Sequence, residues 1–194
     1  MKKIIKIAIL LIVLNGCSSE NKTIATCDET NTSFNQLYNN VVSTVGYGDF
    51  NSAAYREVHS YDFEVTSSKT ICKIGYRSQT LISGTPYLIE IYDNTTSTLV
   101  YSGNHIFSDT ATSYVSITPL ILNAGDLYTI KRIQTNWIGV VENKTGRIAG
   151  NAIGTFNFPL IMGELKVTNP KIYDVGSSQF DSFALPYIDI VFEN

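Results

Sequence analysis

Charge is scarce in this chain of 194 residues. Only 16% of it is Asp, Glu, Lys or Arg, and its 14 Lys+Arg are outnumbered by 17 Asp+Glu, a formal charge of -3. Three of the basic residues, Lys2, Lys3 and Lys6, crowd the N-terminus, and without them the balance is 11 against 17. No basic stripe remains to neutralise phosphates, so nucleic acid is excluded as a partner and anionic headgroups are poor ones. Proline is equally sparse at 5, yet 12 Tyr, 9 Phe and 44% hydrophobic residues rule out disorder, collagen and coiled coil. Histidine and cysteine number 2 and 3. His59 and His105 sit in no catalytic motif, no C-x-x-C occurs, and G-x-S-x-G, H-E-x-x-H and G-x-x-x-x-G-K-[ST] are all missing. The chain therefore reads as a non-enzymatic protein with no required cofactor.

No apolar run is long enough to span a bilayer, which needs about 20 residues. The longest, Ile7 to Leu14, follows a basic start and precedes Asn15, Gly16 and Cys17. That order is a secretory signal, and Leu14-Asn15-Gly16-Cys17 resembles the lipobox of bacterial lipoproteins. The resemblance implies cleavage after residue 16, acylation of Cys17 and a membrane partner held through the lipid. Ser18 after the cysteine is similar to the sorting signal of outer-membrane lipoproteins. Residues 17–45 open with a polar stretch rich in Ser, Thr, Asn and Glu and read as a flexible tether, with 46–194 as the folded domain. Export permits a disulfide between Cys27 and Cys72; the alternative leaves Cys72 as a small buried hydrophobe and Cys27 as a lone thiol.

From about residue 55 the apolar period is two. His59, Tyr61, Phe63 and Val65, then Cys72, Ile74 and Tyr76, read as two strands of a hairpin turning at Thr66–Lys69. Tyr87, Ile89 and Ile91 begin a second hairpin, turning at Asp93–Thr96. The alternation continues through Val115, Tyr128, Ile130, Phe156 and a closing strand of Ile188, Ile190 and Phe192. Helix candidates are short and early, Phe34 to Val42 and Ser52 to Val58. Eight to ten strands spaced by turns predict an all-β antiparallel sandwich, jelly-roll-like, with first and last strands paired; an immunoglobulin-like sandwich is the alternative.

The stretches YDFEVTSSKTICKIGY, PYLIEIYDNTTSTLVYSG, YVSITPLILNAGDLYTI and ALPYIDIVFEN resemble a group of bacterial extracellular jelly-roll domains. They are also similar, more distantly, to the PHR-type β-sandwich of animal ubiquitin ligases. The resemblance covers most of residues 58–194, fits least over 143–185, and implies a surface-displayed recognition or accessory domain. It carries over no catalytic residue.

The candidate ligand site is Arg132, Gln134, Asn136 and Trp137, because an aromatic ring beside amides suits the C–H faces and hydroxyls of a sugar. A second stretch, Asn169 to Gln179, offers Tyr173 and Asp174 from what reads as a loop. Structural calcium is a further option at Asp49-Phe50-Asn51 or Asp93-Asn94-Thr95, whose oxygens suit a hard cation. The resulting expectation is an envelope binding module for glycan, or an assembly subunit whose partner is an envelope protein.

Overall fold

The computed structural model describes residues 26–53, 56–134, 146–151, 157–177, 180–181 and 184–194. Its elements run α1 (Ser33–Val42), β1 (Tyr47–Ala53), β2 (Val58–Val65), β3 (Lys69–Tyr76), β4 (Tyr87–Asp93), β5 (Thr98–His105), β6 (Ser113–Leu122) and β7 (Tyr128–Ile133), then β8 (Gly146–Asn151), β9 (Leu160–Met162), β10 (Leu165–Tyr173), β11 (Phe180–Asp181), β12 (Ala184–Pro186) and β13 (Asp189–Phe192). The larger sheet has the order β11-β10-β2-β7-β4-β5 with β9 beside β10; facing it is β13-β3-β6, and β1-β8-β12 forms a third, small sheet. Every pairing is antiparallel.

The topology is that of a long hairpin rolled up. β4 pairs with β5, β3 with β6 and β2 with β7, nested around the Asp93–Thr98 turn. The middle pair falls in the smaller sheet and the outer two in the larger, joined by β4 against β7. This is the all-β jelly-roll sandwich expected, with two corrections. β2 and β3 are not a hairpin: the Thr66–Ser68 corner carries the chain from one sheet to the other, because Val65 and Ile71 must enter the core from opposite sides. The last strand, β13, pairs with β3 and not with the first.

The period-two positions meet between the sheets. Tyr61, Phe63, Val65, Ile89, Ile91, Ile130 and Val167 from one side and Ile71, Ile74 and Tyr76 from the other are fully buried. Apolar burial at about 25 cal/mol per Å² is what drives the two sheets together.

The tether drawn over 17–45 is corrected from residue 26 onward. Thr32 caps α1 by accepting the Asn35 N–H at 3.0 Å, and Phe34, Leu37, Tyr38 and Val41 form one buried stripe at helical spacing. Phe34 stacks on Tyr61 at 5.1 Å between centroids and meets Tyr187 edge-on at 5.6 Å. The helix packs on β13, β1, β8 and β9, closing that side of the sandwich. Cys27 and Cys72 form a disulfide that fastens the preceding segment to β3, and the Asn194 N–H donates to the Thr26 carbonyl. Of the other helix candidate, Ser52 to Val58, residues 52–53 end β1 and Val58 starts β2, and residues 54–55 lie outside the described residues. No helix among the described residues is long and apolar enough to cross a membrane.

Candidate functional site

Cross-strand register decides which polar side chains share a surface. On the outer face of the larger sheet, Lys171 of β10 lies opposite Ser60 of β2, which lies opposite Lys131 of β7, which lies opposite Glu90 of β4. The neighbouring row is Asp62, Thr129 and Tyr92. Together with Asn94 and Tyr173 these strands line a groove of about 240 Å³ bounded by Ser60, Asp62, Asn94, Thr129, Lys131, Lys171 and Tyr173.

Tyr173 reaches this groove because of a bulge. Val167 faces Phe63 and is buried, whereas five residues later Ile172 faces His59 and is also buried. Between them three residues of β10 advance against two of β2, so one extra residue reverses the alternation and turns Lys171 and Tyr173 outward. Asn169, at φ 47°, and Pro170 make the bulge, since asparagine tolerates the left-handed region and proline has no N–H for the ladder. The stretch read as a loop from Asn169 is therefore strand as far as Tyr173, and Gln179 lies outside the described residues.

The groove is preorganised by its own hydrogen bonds. Thr129 Oγ1 donates to Asp62 Oδ1 at 2.5 Å, Asn94 Nδ2 donates to Thr129 Oγ1 at 2.7 Å, and Asn169 Nδ2 donates to Asp62 Oδ2 at 2.7 Å. Lys131 Nζ sits 4.2 Å from the centre of the Tyr92 ring, whose hydroxyl donates to Glu90 Oε2 at 3.1 Å. Burial and the Glu90 charge raise the Tyr173 phenol above its usual range, so it stays a neutral hydroxyl. Two cations, Lys131 and Lys171, balance two anions, Asp62 and Glu90. The surface suits a neutral ligand with many hydroxyls: amide, carboxylate and ammonium can pair with them, and a tyrosine ring can take a C–H face.

The residues grouped by the sequence part company here. Tyr173 faces the groove, but Arg132 and Gln134 point to the inner face at the end of β7, at 0% and 2% exposure. Trp137 and Asn136 lie outside the described residues, as does Cys17. His59 is buried on β2 beside Tyr61, and His105 sits on β5 with Nε2 2.5 Å from the Tyr101 hydroxyl. β7 and β4 separate their strands, so they form no joint metal site, and no group of metal ligands occurs among the described residues. The two calcium candidates have other partners. Asp49 receives Arg147 Nη2 at 2.7 Å and the Tyr38 hydroxyl at 2.9 Å; burial would raise its carboxyl, but these bonds and the Arg147 charge hold it below the usual range. Asp93 Oδ1 accepts the Thr95 and Thr96 N–H groups and so closes the β4–β5 turn.

Sequence reasoning missed Asp62, Thr129, Lys131 and Lys171 as site residues, and placed Asn94 only in a calcium candidate. Asp62, Thr129 and Lys131 are outward residues of alternating strands, Lys171 follows the bulge of β10 and Asn94 opens the β4–β5 turn, and only the register between strands distant in sequence assembles them. No family model matches this chain, and no curated protein matches it.

Proposed function

We propose that this protein is a lipid-anchored binding module of a bacterial cell envelope, held at the outer membrane through Cys17, that recognises a neutral glycan across the outer face of its larger sheet. The observation that carries the reading is the Tyr173 groove, with hydroxyl, amide, carboxylate and ammonium groups held in fixed geometry and charges in balance. The lipobox-like Leu14–Cys17 supports the anchor. The test is calorimetry of the full chain against neutral oligosaccharides chosen from a glycan array. Tyr173→Ala should weaken binding about tenfold or more while the unfolding midpoint stays within a few degrees of wild type. Binding that survives Tyr173→Ala but is abolished by Trp137→Ala would move the site to the 134–137 stretch and end the groove reading. Cys17→Ser should release the protein from the detergent phase; a mutant still membrane-bound after a high-salt wash would refute the lipid anchor.

A second reading, an envelope assembly subunit, is favoured by two strand edges. Among the described residues β5 and β6 end their sheets, and Leu99, Ile106 and Ile121 on or beside them are 48%, 58% and 71% exposed. Size-exclusion and pull-down from envelope extracts separate the readings, since a monomer that captures no protein excludes this one.

A further inference from the structure

The inner end of β7 carries buried polar groups that meet no hydrogen-bond partner among the described residues. Arg132 has no exposed surface, and its Nη1 donates to the Glu57 carbonyl at 3.3 Å. Among the described residues its Nε and Nη2 meet no hydrogen-bond partner and no carboxylate pairs with it. The rings of Tyr76 and Tyr87 lie 5.5 and 5.4 Å from its Cζ. They attract the cation, but they offer nothing to N–H groups in the guanidinium plane and do not replace the hydration lost on burial. Nε–H and Nη2–H are the parallel donors of one guanidinium edge, the edge that grips a carboxylate through two bonds.

Two residues on, Gln134 is 2% exposed, and among the described residues neither its Nε2 nor its Oε1 nor the buried Tyr76 hydroxyl has a partner. A carboxylate can accept from an amide but cannot donate to one, so satisfying Gln134 Oε1 requires a ligand that also carries a donor such as a hydroxyl. Gly146 lets the β8 backbone approach this corner closely, with no room to spare for a side chain. A Cβ there would stand 2.9 Å from Arg132 Nη2 and 2.6 Å from His59 Cε1. A single negative charge neutralises Arg132, whereas a phosphate dianion would leave a net buried charge.

We infer that this inner end is a second binding site, for a hydroxycarboxylate: its carboxylate on Arg132 Nε and Nη2, its hydroxyl at Gln134. The site lies on the opposite face of the sheet from the Tyr173 groove and does not depend on it. Because Arg132 is covered, the ligand enters by local opening, and samples are equilibrated before measurement.

The test uses the full chain with sodium glycolate as probe. At ten times its dissociation constant, glycolate should raise the unfolding midpoint by about 3–5 °C. Acetate, which lacks the hydroxyl, should bind about tenfold more weakly, and inorganic phosphate should have no effect. D-glucuronate separates the sources of the same chemistry: a rise assigns the site to an acidic sugar, and no rise beside a glycolate response assigns it to a free hydroxy acid. Arg132→Lys, which keeps the charge and loses the fork, should remove the response. In the wild-type chain, whatever the variant does, glycolate should shift the nitrogen-15 resonance of Arg132 Nε–H. The inference is overturned if neither glycolate nor glucuronate moves the midpoint or that resonance, or if phosphate alone does.

Discussion

Asp189 gives the protein a stability that falls as pH rises, opposite to the usual behaviour of a carboxylate. The side chain has no exposed surface; Oδ1 accepts from Thr32 Oγ1 at 2.7 Å and Oδ2 from the Tyr114 hydroxyl at 2.8 Å. Burial outweighs these bonds and lifts the carboxyl from 3.8 to about 6. The folded state thus holds a proton that the unfolded state releases. Its contribution is complete below pH 3.8 and is lost as pH rises through about 6. The gap corresponds to roughly 3 kcal/mol. Asp189→Asn removes the titration and keeps the shape, since either facing hydroxyl can turn to accept from the amide. Urea unfolding at constant ionic strength, from pH 3.5 to 7.5, should therefore show the variant gaining about 3 kcal/mol on wild type across the range with an unchanged m-value. Asp28, Asp49, Asp93 and Glu164, all held below their usual values, lose stability as pH falls, but identically in both proteins, so they cancel in the difference. A difference flat within about 0.5 kcal/mol, or of opposite slope, would refute the account of a buried, desolvated carboxylate.

Phe34→Ala should cost about 3–5 kcal/mol in chemical denaturation, because the ring is fully buried against Tyr61 and Tyr187; a cost under about 1 kcal/mol would return the helix to the tether. Cys27→Ser should lower stability by roughly 3–4 kcal/mol, as the disulfide closes a loop of sequence separation 45, and an unchanged midpoint would show that it constrains nothing. Gly75→Ala should destabilise by about 1–3 kcal/mol, since the added Cβ collides with the Tyr114 ring and pushes its hydroxyl off Asp189; the titration of Asp189, followed by carbon-13 NMR of its carboxyl, should move upward with it.

Most of the core was legible because β4 and β7 follow the alternation residue by residue: Tyr87, Ile89 and Ile91 are buried, as are Tyr128 and Ile130, and the residues between them are not. The stripe of α1 was legible as a helix but not as part of the core. Its neighbours are polar, and nothing local says that Phe34 will find Tyr61. The same packing explains Asp189. By parity it belongs to the solvent side of β13, and it is buried because α1 and its capping Thr32 cover that side. The false hairpin at Thr66–Ser68 has a related cause, since a short polar turn between two strands looks alike whether the strands pair or separate into facing sheets.

The site was less legible than the core because adjacency along a strand says little about adjacency in space. Arg132 and Lys131 are neighbours in sequence, yet alternation sends one beneath the sheet and the other into the outer groove. Tyr173 is far from Lys131 in the chain, yet register through β2 brings both to one surface. A reading by parity would have grouped Asp62, Thr129 and Lys131, but it would have sent Lys171 and Tyr173 inward, with Leu165 and Val167. The bulge at Asn169–Pro170 reverses that assignment, and its signature was present as an asparagine and a proline inside a strand pattern. Those two residues suggest a loop when read as turn formers. Between two alternating apolar runs, Leu165 and Val167 before them and Ile172 after, they instead mark a change of phase, and that change delivers Tyr173 to the groove.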